Sequence, residues 1–315
     1  MGKYLVRRIL MTIPVLFGIT FIVFAMVSFA PGSAISLMLS NENVNVENVE
    51  QLRSELGLDL PWYTQYLRYM GRLLKGDMGR SIQYNRPVGE MIREKIGNTI
   101  MLALSSMIVA IVIAIPLGVI AAAKRRSVFD YLATGMALVG VSIPGFYLSL
   151  ILIIVFGLNL GWFPIRGLPT YDATFLKVIR HLTLPSVTLG SMLAGVLTRM
   201  TRASVIEAMS QDYVRTARSK GLAEYMVLFK HALRNALLPV LTTIGMQFGS
   251  LLGGAVIIET IFSLPGLGML SMNAVKFRDI PLIQGTVLVF SVSFVAVMLL
   301  VDMLYVLVDP RIRYE

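Results

Sequence analysis

With 56% hydrophobic and only 15% charged residues among 315, this chain lies outside the usual range of soluble domains and within that of membrane proteins. It contains no cysteine, which removes disulfides, thiol nucleophiles and thiolate metal sites together. The formal charge of +10 would suit a nucleic-acid binder, but its placement in short loops between apolar runs makes it a topology signal instead.

Six apolar runs are long enough to cross a hydrocarbon core of about 30 Å: Ile9–Ala30, Thr99–Ala123, Leu132–Gly157, Leu182–Met200, Leu237–Ile261 and Leu282–Val308. Backbone polar groups in lipid must be satisfied within their own segment, so each run is expected to be helical. The short alternating strands of a closed β-barrel are absent from the pattern. The first run follows Lys3, Arg7 and Arg8 like a secretory signal. Its core exceeds the 7–15 residues usual for one, so residues 1–30 read as a retained anchor helix.

Residues 31–98 form the longest polar stretch. Val46, Val49, Leu52 and Leu56 recur at helical spacing, and Pro61 opens a second amphipathic stretch with Trp62, Tyr66, Tyr69, Met70 and Leu73. Short helices on the outer membrane face are expected there. Residues 99–308 hold the remaining five runs, and 309–315 a polar tail. Pro116 and Pro144 are expected to bend the second and third runs. Gly190 with Ala194, and Gly245, Gly249 and Gly253, make small-residue stripes that allow close helix approach. Packing within the chain and packing across a subunit interface both explain them.

Fifteen of the 28 basic residues fall at the N-terminus, at Lys124–Arg126, between Arg199 and Arg234, and at Arg311 and Arg313. With an even number of spans these lie on one side, which the positive-inside rule makes the cytoplasm, with both termini there.

The most informative polar interruption is the loop 205–236. Asp212, Tyr213, Val214, Arg215, Thr216, Ala217, Arg218, Ser219, Lys220, Gly221 and Leu222 run in succession, and His231–Pro239 follows. On a helix, Val214, Ala217 and Gly221 share one face and Asp212, Thr216 and Ser219 the other. A face of small side chains admits a partner close to the backbone; an ordinary positively charged loop is the alternative.

No G-x-x-x-x-G-K-[ST] phosphate loop and no H-E-x-x-H occurs, and His181 and His231 have no metal-binding neighbours in sequence. No catalytic residue, cofactor or metal ligand is therefore assigned. The pattern also lacks a potassium-type filter and an arginine-studded helix. Ionisable residues within spans are functional candidates. Glu259 and Asp302 each read as a snorkelling residue or one paired with a neighbouring helix; the alternative for Glu259, close to Pro265 and Gly266, is that it helps fix an outer gate.

Many of these residues occur together in a known family. Gln65-Tyr66, Gly76-Asp77-Met78-Gly79-Arg80-Ser81, Asn159-Leu160-Gly161-Trp162-Phe163-Pro164, Asp212–Leu222, Pro265-Gly266-Leu267-Gly268 and Arg278-Asp279 follow in order. The whole chain resembles the "B" permease subunit of bacterial ABC importers of the dipeptide/oligopeptide type. The resemblance implies an all-α membrane protein with six transmembrane helices and a MetI-like type I importer fold. It aligns the family's E-A-A…G…I-x-L-P loop with Arg215-Thr216-Ala217, Gly221 and His231-Ala232-Leu233-Arg234, where Ala217, Gly221 and Leu233 match. Arg215, Thr216, His231 and Arg234 depart from the general pattern, as Pro31-Gly32-Ser33-Ala34 departs from P-G-D-P.

The resemblance further implies that Asp212, Tyr213, Val214, Arg215, Ala217, Arg218, Gly221 and Leu222 couple to cytosolic ATPases. The implied partners are a homologous second permease, two ATPase subunits and an extracytoplasmic binding protein, with no nucleic acid. ATP hydrolysis would reside in the ATPases, making this chain non-catalytic, in a bacterial inner membrane. Di- or oligopeptides are the expected cargo; nickel chelates, glutathione and oligosaccharides are the alternatives within this architecture. A secondary transporter would instead show inverted repeats with interrupted spans.

Overall fold

A computed structural model describes residues 2–29, 60–169 and 174–308. The expectations for Pro31–Ala34, Val46–Leu56 and the tail 309–315 lie outside the described residues. Among those described every regular element is a helix, and the one isolated bridge pairs Arg80 with Pro87.

The helices are α1 (Gly2–Phe29), α2 (Trp62–Leu74), α3 (Val88–Ala123), α4 (Val128–Ser142) and α5 (Gly145–Leu152), which widens into π turns over Ile153–Asn159. Then come α6 (Phe175–Met209), α7 (Asp212–Ser219) and a short α8 (Glu224–Met226) that widens over Val227–Ala232. The last are α9 (Leu233–Ile261), α10 (Leu267–Lys276) and α11 (Ile280–Val308). By length and composition α3, α6 and α11 each suffice to cross a membrane unbroken.

The third apolar run is not one rod. Its two arms, Val128–Ser142 and Gly145–Asn159, meet at 101°. The break is local chemistry: Ile143, preceding Pro144, is pushed to ψ 120°, outside the helical region, by the proline ring. Pro116, expected to act likewise, lies inside an uninterrupted α3.

The chain divides into two compact units, Met1–Asn98 with Gly266–Val295, and Thr99–Pro265 with Ala296–Glu315. In the first, Val88, Met91, Ile92, Leu267, Leu270 and Leu282 form the core. A side chain on Gly285 would collide with Val88, 2.5 Å from where its Cβ would stand. Helix α2 lies on α1 through aromatic rings: Phe21 meets Tyr66 edge-on at 5.5 Å, and Phe24 meets it at 5.4 Å.

Asp279 organises one end of this unit. One carboxylate oxygen accepts the N–H of Leu282 at 3.2 Å, capping α11. The other accepts the Ser81 hydroxyl and the N–H of Gln83 at 3.0 Å. The residue is 1% exposed, and Ser81 and Leu282 are buried with it, so removing it strands two donors away from water and releases the N–H of the exposed Gln83. Asp279→Ala is expected to cost about 3 kcal/mol, read as a fall in thermal midpoint in detergent, and Asp279→Asn to recover part of it. An unchanged midpoint for Asp279→Ala would contradict this anchoring role.

The second unit is built around α6, whose Leu189, Leu193 and Leu197 are buried in its main apolar cluster. Its small residues let neighbours close in. A Cβ on Gly190 would stand 2.8 Å from the Ser106 carbonyl oxygen of α3, and one on Gly140 of α4 would stand 2.9 Å from that of Ser191. Gly245 likewise meets Val301 of α11. These contacts use the small-residue stripes inside the chain; at Gly253 a Cβ would meet nothing within 4 Å.

Near the ends of α4 and α6, Asp130 takes two bonds from Arg202, from Nε at 2.6 Å and from Nη2 at 2.8 Å, plus the Arg126 N–H at 3.0 Å. The Asp130 side chain is nearly buried while that of Arg202 keeps 32% of its surface. Truncating Arg202 to Ala leaves the carboxylate short of its strongest donor. A loss of about 2 kcal/mol is expected, checked by the same unfolding measurement; an unchanged midpoint would show the pair to be neutral.

Candidate functional site

Helix α7 begins at Asp212, whose charge in the first turn suits the positive helix end. It ends in a turn that the sequence encodes through one residue. Gly221 sits at φ +74°, a region costly for any residue with a Cβ. The Leu222 N–H then reaches back to the Ala217 carbonyl at 3.4 Å and the Gly221 N–H to that of Arg218 at 2.9 Å, which together make a Schellman cap. Arg218 bridges the turn to Glu224 at 2.6 Å. Its hydrogen bond holds the Glu224 carboxyl below the usual carboxylate range. The contribution of that pair is present above the ordinary glutamate pKa and fades as pH falls, and it is small because both groups are well exposed.

The small-residue face does not point outward. Val214 is 0% and Ala217 5% exposed, and both are packed with Val205, Ala208, Val227 and Ala232 of the same chain. Leu222 backs this cluster. The small side chains seat α7 on its own unit, which corrects the expectation that they receive a partner. Gly221 contributes a backbone conformation; its Cβ position has no atom within 4 Å.

What α7 presents to solvent is the opposite side. Asp212, Tyr213, Arg215, Thr216, Arg218, Ser219 and Lys220 are all exposed. Tyr225 and Phe229 join them at 66% and 59% exposure. These two aromatics were hidden from helical-periodicity reasoning by the π turns of Val227–Ala232, which shift the register within one turn. The legible signal was simply two bare aromatics in a basic loop.

A second candidate lies at the far end of α9. Glu259 is 1% exposed and accepts the Thr99 hydroxyl at 2.6 Å. Its backbone carbonyl accepts the Leu264 N–H at 2.8 Å while Ser263 bonds Thr260 at 3.2 Å, another Schellman cap. Here the left-handed position is Ser263, at φ +51°, where a Cβ costs about 1 kcal/mol. Pro265 and Gly266 stand where the chain passes from one unit to the other. Gly266 is extended, φ −103° and ψ −176°, a conformation open to any residue. Among the described residues no group of three metal-ligating side chains occurs, and His181 only touches the Lys177 carbonyl one turn before it.

Comparison with known proteins decides the family. Residues 114–314 match the "Binding-protein-dependent transport system inner membrane component" and residues 1–103 match the N-terminal part described for the same components. The chain belongs to this family of inner-membrane transport components. Among relatives of this permease, an oligopeptide transport system permease protein of Bacillus subtilis is 43% identical over the full length of both chains. A dipeptide transport system permease protein of Alkalihalophilus pseudofirmus and a glutathione transport system permease protein of Escherichia coli are each 41% identical, again over both full lengths. Among solved structures, the MetNI methionine ABC transporter in an inward-facing conformation matches with TM-score 0.58 and 18% identity. It covers 70% of this chain and 96% of that one, a likeness of fold. Every regular element among the described residues is thus a helix, and the chain is a multi-pass membrane protein with the MetI-like permease fold, as the resemblance implied.

Proposed function

We propose that this permease forms half of the translocation path of an ATP-driven importer of di- or oligopeptides. The observation that carries the reading is the full-length likeness, above 40% identity, to chains named for oligopeptide and dipeptide transport. The opposite half is a homologous permease. Two cytosolic ATPases supply the energy, and an extracytoplasmic binding protein delivers cargo. Both termini and the segment 205–236 lie in the cytoplasm, in keeping with the clustering of lysine and arginine there.

Coupling runs through α7 and its turn. Asp212, Tyr213, Arg215 and Arg218, with Tyr225 and Phe229, offer a mixed aromatic and charged surface to an ATPase. Val214, Ala217 and Leu222 fasten that surface to the bundle beneath, and Gly221 sets its angle. Closure of the ATPases moves this block as a unit, and rocking of the helical bundles alternates access to the path. Glu259, Pro265 and Gly266 are assigned to the outer gate. The chain itself carries out no bond-breaking chemistry.

The test is uptake by proteoliposomes holding this permease with its second permease, ATPases and binding protein. Labelled di- and oligopeptides are expected to accumulate only with ATP inside. The glutathione permease among the relatives makes glutathione the competing cargo. Accumulation of glutathione but of no other peptide would overturn the cargo assignment. Uptake by this chain alone, driven by an ion gradient, would overturn the architecture.

A further inference from the structure

Helix α2 has three distinct sides. At 3.6 residues per turn, Trp62, Tyr66 and Tyr69 share one of them, and they are the residues whose rings pack against Phe21 and Phe24 of α1. Tyr63, Leu67 and Leu74 form a second side, apolar yet 54%, 67% and 80% exposed. Arg68, Arg72 and Lys75 form the third, also exposed. A soluble helix would not leave its second side bare.

The depth of α2 along α1 says what covers that side. The Tyr66 hydroxyl lies 3.2 Å from Thr20 Oγ1 and 3.4 Å from the Phe17 carbonyl oxygen. Thr20 falls near the middle of the apolar run Ile9–Ala30. At 1.5 Å per residue, even Phe24 is about 9 Å short of the end of that run. Where α1 crosses the membrane, a helix whose aromatic side touches it at this level lies within the depth of the bilayer and not in bulk water.

We infer that α2 is a lipid-binding helix, with Tyr63, Leu67 and Leu74 immersed in acyl chains while Arg68, Arg72 and Lys75 extend to phospholipid phosphates. An apolar side next to a cationic side is the pattern of interfacial helices, and long basic side chains reach the headgroups by snorkelling. The inference is independent of the transported cargo and of which leaflet α2 occupies. It requires only that α1 crosses the membrane.

Because the chain has no cysteine, a nitroxide can be placed at a single position of the full chain in bilayers of phosphatidylethanolamine and phosphatidylglycerol. Leu67→Cys and Leu74→Cys are expected to be several-fold more accessible to oxygen than to a water-soluble nickel chelate, matching Ile108→Cys on the exposed side of α3. Access to the nickel chelate at 67 and 74 would place α2 in water and overturn the inference. Shielding from both reagents would mean that protein covers it, whether residues 31–59 or a partner, and would also overturn it. In a second arm, replacing Arg68, Arg72 and Lys75 with Gln is expected to lower retention of phosphatidylglycerol over phosphatidylethanolamine by at least about tenfold, read by native mass spectrometry. An unchanged ratio would overturn the phosphate contacts.

Discussion

Gly221→Leu is expected to leave the permease inserted in the membrane and to abolish the substrate-stimulated part of ATP hydrolysis in the assembled importer. The cost does not come from crowding, since nothing stands within 4 Å of the position a Cβ would take. It comes from the backbone, which at φ +74° penalises a Cβ by about 1–2 kcal/mol. The N–H groups of Gly221 and Leu222 close the end of α7 only in that conformation. A leucine would relax the turn toward negative φ, break both bonds and re-aim α7 relative to Val227–Ala232. Gly221→Asn separates this account from a steric one, because asparagine tolerates the left-handed region. Near-normal coupling by Gly221→Asn with loss in Gly221→Leu supports the turn. Equal loss in both would point to a partner approaching the glycine closely. Normal stimulated hydrolysis in Gly221→Leu would remove this turn from the coupling path.

The sequence makes the membrane class and the helical composition plain, because long apolar runs have few structural solutions in lipid. Pro144 marks the break in the third run for the same reason: its effect on Ile143 is local and steric. Pro116 bears the same letter without a comparable break, so a proline in a span states a constraint without stating the angle. The coupling segment was legible in its position but not in its orientation. Val214 and Ala217 form a small face on any helical wheel; whether that face looks inward or outward depends on Val205, Val227 and Ala232, which arrive from other turns.

Pairs separated widely in sequence were less legible still. Asp130 lies 72 residues before Arg202, and Ser81 lies 198 before Asp279. Each looks like an unremarkable charge or hydroxyl beside an apolar run. Only tertiary contact makes them an ion pair and a capped anchor. Left-handed turns carry a signal in the sequence where glycine supplies them, at Gly76 and Gly221, although Gly221 was expected on a helix face. They were hidden at Ser263 and Arg278, which hold φ +51° without being glycine. Ser263 lies just past the C-cap Phe262 of α9, next to the proposed gate, and retained strain clusters at such working positions.

Glu259→Gln tests that end of the molecule. The substitution preserves size and an oxygen able to accept the Thr99 hydroxyl, while removing the capacity for charge. Assembly with the partner subunits is therefore expected to be intact, with uptake reduced about tenfold, equivalent to about 1.4 kcal/mol in the rate-limiting barrier. Thr99→Val is the companion: it deletes the 2.6 Å bond and leaves the carboxyl group. If Thr99→Val matches the deficit, what the gate requires is the full charge-assisted strength of the bond that ties Thr99 to the end of α9, which a neutral amide acceptor weakens without abolishing. If only Glu259→Gln is impaired, the charge itself acts, positioned by the cap that joins the Glu259 carbonyl to Leu264. Wild-type uptake by Glu259→Gln in proteoliposomes would detach this residue from gating and leave it as a packing element of the second unit.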